Sequence, residues 1–340
     1  MINAAVVGLG TWGKTMVESL VGSDAMRFTA LQTRTVTPDV EAYAKQNSLR
    51  VVDSYEAVLA DPKISAVALA TPPSGHEKQV IAAAKAGKHI YCEKPFTFSK
   101  KEAESAVDAV RKAKLALGVG YNRRFHPEII KLKHRIDAGD LGTIQHIEAS
   151  MTYPNALFLP TTVWRSKKEE APLGGLAPMG VHAIDLMIYL TGEIDQVYCQ
   201  SFARTVQNGT DDTTSMMFRM KAGMSGYLGT MTATGPGFSF QVFGSKGWMR
   251  LEGVTHVAGA PSEERRTRQF GVCKFQPVKG PAEVWEAERL DIVRATFDAF
   301  ARAAEGGPPF PIPPEQIVHG AAVSEAIIRS AASGQVQKVS

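Results

Sequence analysis

A glycine-rich turn near the start of the chain most constrains its fold. The segment Gly8-Leu-Gly10-Thr-Trp-Gly13 has the pattern GxGxxG, and it stands between a short apolar run, residues 4–7, and a helical pattern over residues 14–21. In such a turn the first glycine permits a tight bend, the second lets the backbone approach a pyrophosphate, and the third lets the helix pack on the strand. This context predicts a βαβ unit that binds a dinucleotide.

The first third of the chain alternates short strand-like runs with helical segments. The next strand candidates are residues 28–32, 51–52, 66–70, 89–92 and 116–119, and Ala-rich helical patterns cover residues 77–86 and 101–113. Such alternation with short links is typical of a doubly wound parallel sheet with helices on both faces. The carboxyl ends of its strands share one edge, where ligands bind. We therefore predict a dinucleotide-binding domain over residues 1–121.

The pattern changes after about Tyr121. A helical stretch at 127–138 precedes strand candidates at 145–152, 196–203, 213–220, 225–232, 238–243 and 248–251, and two helices are predicted near the end, at 287–304 and 314–333. Strands that follow one another through turn residues favour a mainly antiparallel sheet. The sequence thus predicts an α/β protein whose second domain, residues 122–340, is an α+β domain with a mainly antiparallel open sheet.

Composition narrows the class of protein. The 340 residues are 44% hydrophobic and 21% charged, which is typical of globular domains, and 38 basic against 34 acidic residues leave a net charge of only +4. That charge gives no reason to expect a nucleic-acid partner. No apolar stretch approaches the ~18 residues that cross a bilayer. The three cysteines are far apart, which suits a reducing compartment and not a zinc site. We expect a cytoplasmic protein without metal or membrane association.

The residues after the second predicted strand bear on the choice of cofactor. An NAD site usually has Asp or Glu about twenty residues after the glycine turn, where it binds the ribose 2′-hydroxyl. Here the segment reads Gln32-Thr33-Arg34-Thr35, without an acid. Thr33 and Arg34 could bind a 2′-phosphate through charge-assisted hydrogen bonds. We predict NADP(H) as the preferred cofactor, with NAD(H) possible.

Two further segments end predicted strands on the same edge. Thr71-Pro72 follows one strand, and Glu93-Lys94-Pro95 follows the next. A lysine at that position could hydrogen-bond both a nicotinamide ribose and a substrate hydroxyl, which would hold the reacting carbon near the hydride position.

Together these motifs resemble the GFO/IDH/MocA oxidoreductase family. The resemblance continues through residues 120–125, Gly174-Gly175, residues 180–186 and residues 242–247, and so covers essentially the whole chain. It implies an N-terminal Rossmann domain and a C-terminal α+β domain, whose open sheet commonly mediates oligomers, here a homodimer or homotetramer. It also implies hydride transfer between NAD(P) and a carbinol carbon, often of a sugar or polyol.

The resemblance also implies roles for individual residues. Lys94 corresponds to the lysine that assists the substrate hydroxyl, and His182 to the histidine acid/base; Asp185, one helical turn later, could orient the imidazole or serve in capping or core hydrogen bonding. The implied cofactor contacts are Gly8, Gly10, Thr11, Trp12, Gly13, Thr33, Arg34, Thr71, Pro72, His76, Glu93 and Lys94. The implied substrate contacts are Asn122, Tyr153, Trp164, Arg165, His182 and Asp185.

One position departs from the family's pattern. Pro178 stands where the family has an aspartate, so a second carboxylate is lost there and the pocket suits polyhydroxylated substrates less well. Trp164 and Arg165 could stack on a ring and hold a carboxylate. Three functions stay open: a dehydrogenase of a sugar or polyol, the same chemistry on an aromatic cis-dihydrodiol or a carboxylated cyclic hemiacetal, and a dinucleotide-binding sensor without turnover.

Overall fold

The computed structural model describes residues 1–160, 163, 166–207, 209–256 and 259–340. Contacts divide these residues into two compact units. Unit 1 comprises Met1–Asn122 and Asp291–Val318, and unit 2 comprises Arg123–Leu290 and His319–Ser340. The prediction of a single boundary after residue 121 assigns residues 291–318 to the second domain, whereas their contacts group them with unit 1.

The first six strands alternate with helices, whereas most of the later strands follow one another directly. The strands are β1 (Ile2–Val7), β2 (Met26–Gln32), β3 (Arg50–Val51), β4 (Ala66–Leu69), β5 (His89–Cys92), β6 (Leu117–Val119), β7 (Ile144–Thr152), β8 (Ile194–Phe202), β9 (Thr213–Met220), β10 (Ser225–Met231), β11 (Gly237–Gly244), β12 (Gly247–Gly253), β13 (Phe270–Pro277), β14 (Glu283–Glu286) and β15 (Gln337–Lys338). The α-helices are α1 (Thr11–Ser19), α2 (Pro38–Gln46), α3 (Tyr55–Ala60), α4 (His76–Lys85), α5 (Lys100–Ala113), α6 (Pro127–Asp137), α7 (Val181–Thr191), α8 (Ser262–Thr267), α9 (Ile292–Ala304) and α10 (Pro314–Ser333).

Unit 1 contains a six-stranded parallel sheet in the order β3-β2-β1-β4-β5-β6. This is the strand order of a Rossmann fold, with its switch point between β1 and β4. Val67 and Ile90 on the central strands are fully buried, as expected for strands covered on both faces. The prediction of a doubly wound parallel sheet is confirmed.

The helix α9 is the late segment that joins unit 1. Phe297 lies with its ring centroid 4.4 Å from that of Tyr91 on β5 and meets Phe28 on β2 edge to face at 5.8 Å. Phe300 also contacts Tyr91, and a Cβ on Gly118 would come within 3.0 Å of Phe300. Burial of these aromatic rings attaches α9 to the sheet across some 200 residues of sequence.

Unit 2 is built on a nine-stranded sheet in the order β14-β13-β12-β11-β7-β10-β9-β8-β15. All of its neighbouring pairs are antiparallel except β7 and β10, which run parallel. The mainly antiparallel sheet of the prediction is therefore confirmed, and β13, β14 and β15 extend it beyond the predicted strands. Within the described parts of the chain, no helix is both long and apolar enough to span a lipid bilayer.

Candidate functional site

The glycine turn between β1 and α1 packs tightly on one side and is open on the other. Gly8 has φ of +98°, and a Cβ there would lie 2.6 Å from the Ala70 carbonyl oxygen, while a Cβ on Gly13 would collide with the Gly8 carbonyl. By contrast, a Cβ on Gly10 would meet no described atom within 4 Å. No side chain caps α1 at Gly10, so its first N–H groups are available to a ligand. The turn fits a dinucleotide pyrophosphate.

The predicted cofactor residues of unit 1 lie along the carboxyl edge of its sheet. Thr33 and Arg34 follow β2, Thr71 and Pro72 follow β4, and Glu93 and Lys94 follow β5. Arg34 is exposed, and no acidic residue occurs between Gln32 and Val36. Because these strands are parallel, their ends meet the glycine turn at the same edge. Asn122, a predicted substrate contact, is buried in the short helical turn after β6.

His76 holds two of these strand ends together. Its ring is fully buried; Nε2 lies 3.0 Å from the Thr71 carbonyl oxygen, and Nδ1 lies 2.9 Å from that of Pro95. Thr71 in turn donates its hydroxyl to Gln79 at 2.6 Å. Since both ring nitrogens are engaged with main-chain oxygens, we propose that His76 positions the loops that carry Thr71 and Lys94, in place of the direct cofactor contact expected from the sequence.

Glu93 is a buried carboxyl group at the same edge. It packs directly on Gly120, where a Cβ would come within 2.6 Å of both carboxylate oxygens, and Oε2 accepts a hydrogen bond from the Lys94 backbone N–H at 3.3 Å. Burial raises the pKa of Glu93 to about 7, against the opposing effects of the Lys94 charge and the Trp12 indole N–H. Trp12 Nε1 is buried without a partner in hydrogen-bond geometry among the described residues, although its approach to Glu93 lowers that pKa.

The raised pKa of Glu93 predicts a pH-dependent stability. Folding lifts this pKa from 4.5 to about 7, so the stabilising contribution of the protonated form is full below pH 4.5 and is lost as the pH rises through 7. Glu93→Gln stays neutral throughout. The unfolding free energy of Glu93→Gln minus that of the wild type should therefore rise by about 1–2 kcal/mol from about pH 5.5 to about pH 8. Urea unfolding at both pH values measures this gain; the exposed Glu56→Gln is the matched control, and an equal gain there would refute the assignment.

In unit 2, a widened helical turn leads into the helix that carries His182. Residues Leu176–Gly180 form a π-helix, and α7 begins at Val181. Both Met179 and Gly180 donate their N–H groups to the Gly175 carbonyl, at 3.1 and 3.0 Å. Pro178 has no N–H to offer, which favours this irregular turn. His182 lies in the first turn of α7 and is 7% exposed.

Asp185 forms a buried ion pair with Arg124. Its two carboxylate oxygens lie 2.6 and 2.7 Å from Nη2 and Nε of Arg124, and both side chains are almost fully buried. Burial raises the pKa of Asp185, and the Arg124 charge opposes this. We predicted a substrate contact for Asp185, but both oxygens are committed to Arg124. Arg124 is not among the predicted site residues, although it lies in the segment 120–125 that carries part of the family resemblance.

Buried hydroxyl groups lie near the π-helix. Thr230 Oγ1, on β10, is buried without a hydrogen-bond partner among the described residues, as is Thr232 Oγ1 just beyond the strand. A Cβ on Gly175 would lie 2.6 Å from Thr230 Oγ1, so this hydroxyl faces the start of the turn. Tyr153, a predicted substrate contact, follows β7, and its backbone N–H donates to Met231 at 3.0 Å. Trp164 and Arg165 lie outside the described residues.

A metal site was not predicted from the sequence. In the described part of the chain, no three or more His, Cys, Asp or Glu side chains are grouped as a metal ion would require. Cys92, Cys199 and Cys273 are buried free thiols.

Comparison with known families matches both parts of the chain. Residues 2–121 match a family model described as an oxidoreductase family with an NAD-binding Rossmann fold. Residues 129–250 match the GFO/IDH/MocA C-terminal domain. The two matches together cover most of the chain, including the glycine turn, Lys94 and His182.

Individual relatives agree with these matches. The chain is 26% identical over 283 residues to the myo-inositol 2-dehydrogenase of Thermotoga maritima, which covers 77% of this chain and 79% of that protein. Among solved structures, the aldose-aldose oxidoreductase of Caulobacter crescentus shares the fold with a TM-score of 0.85 at 22% identity, over 99% of each chain. A levoglucosan dehydrogenase in complex with NADH shares it with a TM-score of 0.83 at 21% identity, over 100% of this chain and 99% of that one.

Proposed function

Because the chain belongs to the GFO/IDH/MocA family of NAD(P)-dependent oxidoreductases, we propose that it interconverts a secondary alcohol and a ketone on a sugar, polyol or related cyclic substrate. The observation that carries this proposal is the placement of the open glycine turn and of Lys94 on one edge of the unit 1 sheet. The relatives that act on myo-inositol and levoglucosan support a cyclic, hydroxylated substrate.

The residues of this chain would divide the work between binding and proton transfer. The N–H groups at the start of α1 would hold the pyrophosphate. A nicotinamide bound there would supply the hydride acceptor for oxidation of the carbinol carbon, or the donor for reduction of the ketone. The Lys94 ammonium would donate a hydrogen bond to the substrate hydroxyl oxygen and orient it. His182 would accept the hydroxyl proton during oxidation and return it during reduction. His76 and Glu93 would fix the loop that carries Lys94.

A substrate panel tests the proposed reaction. We expect reduction of the nicotinamide cofactor, followed by its absorbance, with at least one of myo-inositol, levoglucosan, D-glucose, D-galactose and a cis-dihydrodiol. Turnover confined to the cis-dihydrodiol would move the substrate class to the aromatic alternative. Tight cofactor binding without turnover on any member would contradict the proposal and favour a sensor.

We also propose NADP(H) as the preferred cofactor. Arg34 is exposed just past the end of β2, where an acid would repel a 2′-phosphate, and Thr33 is beside it. A charge-assisted hydrogen bond contributes about 1.5–3 kcal/mol, so Arg34→Gln should raise KM for NADP⁺ by roughly 10–100-fold and change KM for NAD⁺ little. Steady-state kinetics with both cofactors measure this. Lys85→Gln is the control, because Lys85 ends α4 on the side away from the strand edge that carries Arg34. A wild-type enzyme that prefers NAD⁺ would contradict the proposal.

The outer face of the unit 2 sheet supports a further proposal, that the chain forms a homodimer or homotetramer. Met217 on β9 is 61% exposed and Val284 on β14 is 63% exposed, while Tyr198 and Tyr227 flank Met217 in the strand register. Apolar side chains exposed on a broad sheet suit association with a second copy. Sedimentation equilibrium decides it: a wild-type monomer at micromolar concentration contradicts the proposal.

A further inference from the structure

Unit 2 contains a partly buried arginine that forms no ion pair with a described residue. The guanidinium of Arg123 lies 4.5 Å above the ring centroid of Phe238, and its Nη1 is buried without a hydrogen-bond partner among the described residues. Burial lowers the pKa of Arg123 to about 10, and none of the described carboxylates opposes this shift. It therefore carries its charge at neutral pH. The next residue, Arg124, is paired with Asp185, whereas Arg123 has no carboxylate partner among the described residues.

His126 supplies a second donor beside it. Its Nδ1 accepts the backbone N–H of Glu128 at 3.2 Å, so a neutral ring must carry its proton on Nε2. Burial lowers the pKa of His126 to about 4; the Glu128 carboxylate opposes this shift and the Arg123 charge adds to it, so the ring is neutral near pH 7. Nε2 is buried and has no acceptor in the described residues. His126 is thus a buried N–H donor that lacks its partner.

One aromatic pair supports both groups. Phe238 and Phe270 are stacked with their centroids 5.0 Å apart, Arg123 lies over Phe238, and His126 meets Phe270 edge to face at 4.8 Å. The Arg123 charge is close enough to act on His126 and on His256. We call this pair of rings the aromatic platform. Two buried donors without acceptors on it cost free energy, and an anion bound there would remove that cost.

The sheet register places Phe238 of the aromatic platform on the same face of the sheet as Thr230. Thr230 on β10 pairs with Met151 on β7, and Met151 pairs with Phe238 on β11. Paired residues direct their side chains to the same face, and two strand spacings are about 10 Å. Thr230 contacts the Gly175 turn that leads into α7, as described above. Thr230 and Phe238 therefore lie on the same face of the sheet, two strands apart.

We propose that Arg123 and His126 bind a carboxylate of the substrate, so that the enzyme acts on a sugar acid or a cyclic polyol acid in preference to a neutral polyol. The inference rests on the proposed function for the chemistry at the carbinol and adds the anionic substituent. Arg123 would donate to the carboxylate as a charged planar fork, and His126 Nε2 would donate as a neutral group.

Matched neutral and acidic substrates test the inference. We expect kcat/KM for D-glucuronate or D-galacturonate to exceed that for D-glucose or D-galactose by roughly 10–100-fold in the wild type. Arg123→Gln should bring this ratio to near one by raising KM for the acid, and Arg123→Lys should restore part of it. His126→Gln should lower it less. Arg135→Gln is the control, because Arg135 also lies over an aromatic ring, Phe275 at 4.4 Å, but is paired with Glu283.

The outcomes separate this inference from the proposed function. Equal kcat/KM for acids and neutral sugars, or an Arg123→Gln variant that loses both alike, overturns the carboxylate site and leaves the oxidoreductase assignment standing. A preference for D-glucose 6-phosphate that Arg123→Gln removes overturns the carboxylate assignment in favour of a phosphate. If no sugar is turned over, titration calorimetry with D-glucuronate decides: equal binding to wild type and Arg123→Gln, or no binding, overturns the site.

Discussion

Lys94→Ala should lower kcat/KM by roughly 10²–10⁴-fold while the enzyme still folds and still binds its cofactor within a few-fold of the wild-type Kd. Lys94 follows β5, between the buried Glu93 and Pro95, at the strand edge that also carries the glycine turn. Its proposed hydrogen bond to the reacting hydroxyl strengthens as that oxygen loses its proton. The loss should therefore fall mainly on kcat.

A buried lysine of unit 1, Lys88, provides the contrast. Lys88 donates from Nζ to the Asp61 and Ile64 carbonyls, both at 2.7 Å, and it precedes β5 at the opposite end. Lys88→Ala should lower the melting temperature and leave kcat almost unchanged, because it removes two structural hydrogen bonds. Melting curves and steady-state kinetics on both variants separate the roles. A Lys94→Ala enzyme with full activity would remove the proposed mechanism.

The sequence specified unit 1 closely because its signals are local. The strand 89–92 was predicted with the bounds that the structure shows, and α5 differs from its prediction by one residue. Once the strands are known to be parallel, their ends must share an edge, so the proximity of Arg34, Thr71 and Lys94 to the glycine turn follows from topology. The short helices α2 and α3 were missed because each is only six to nine residues long and depends on a capping side chain, Thr37 or Ser54.

The sequence did not allow the pairing partners of the buried charged residues to be predicted. Arg124 and Asp185 are 61 residues apart, and nothing near either residue indicates the pairing. His76 shows the same limit, since its engagement with Thr71 and Pro95 depends on two strands lying side by side. The attachment of α9 to unit 1 rests on Phe297 and Tyr91, which are far apart in the chain. Periodicity predicts that a helix has an apolar face, but it does not say which sheet covers that face.

Breaking the Arg124–Asp185 pair from either side should destabilise the protein by about 3–5 kcal/mol, because each single change leaves the other charge buried and alone. The variants are Arg124→Met and Asp185→Asn, and urea unfolding measures the free energy of unfolding of each. Replacement of both residues by apolar ones should cost less than the sum of the two single changes. The exposed pair Arg329–Glu325 on α10 is the control, where Arg329→Met should cost at most about 1 kcal/mol.

The two single variants should also respond differently to pH. In Arg124→Met, burial raises the pKa of Asp185 without the opposing guanidinium, so the carboxyl takes up a proton as the pH falls and its penalty shrinks. The unfolding free energy of Arg124→Met should therefore approach that of the wild type on going from about pH 8 to about pH 5. In Asp185→Asn the stranded group is an arginine, which stays charged across this range, so its deficit should not shrink. Parallel pH profiles for the two variants would contradict the assignment of Asp185 as the buried charge that Arg124 neutralises.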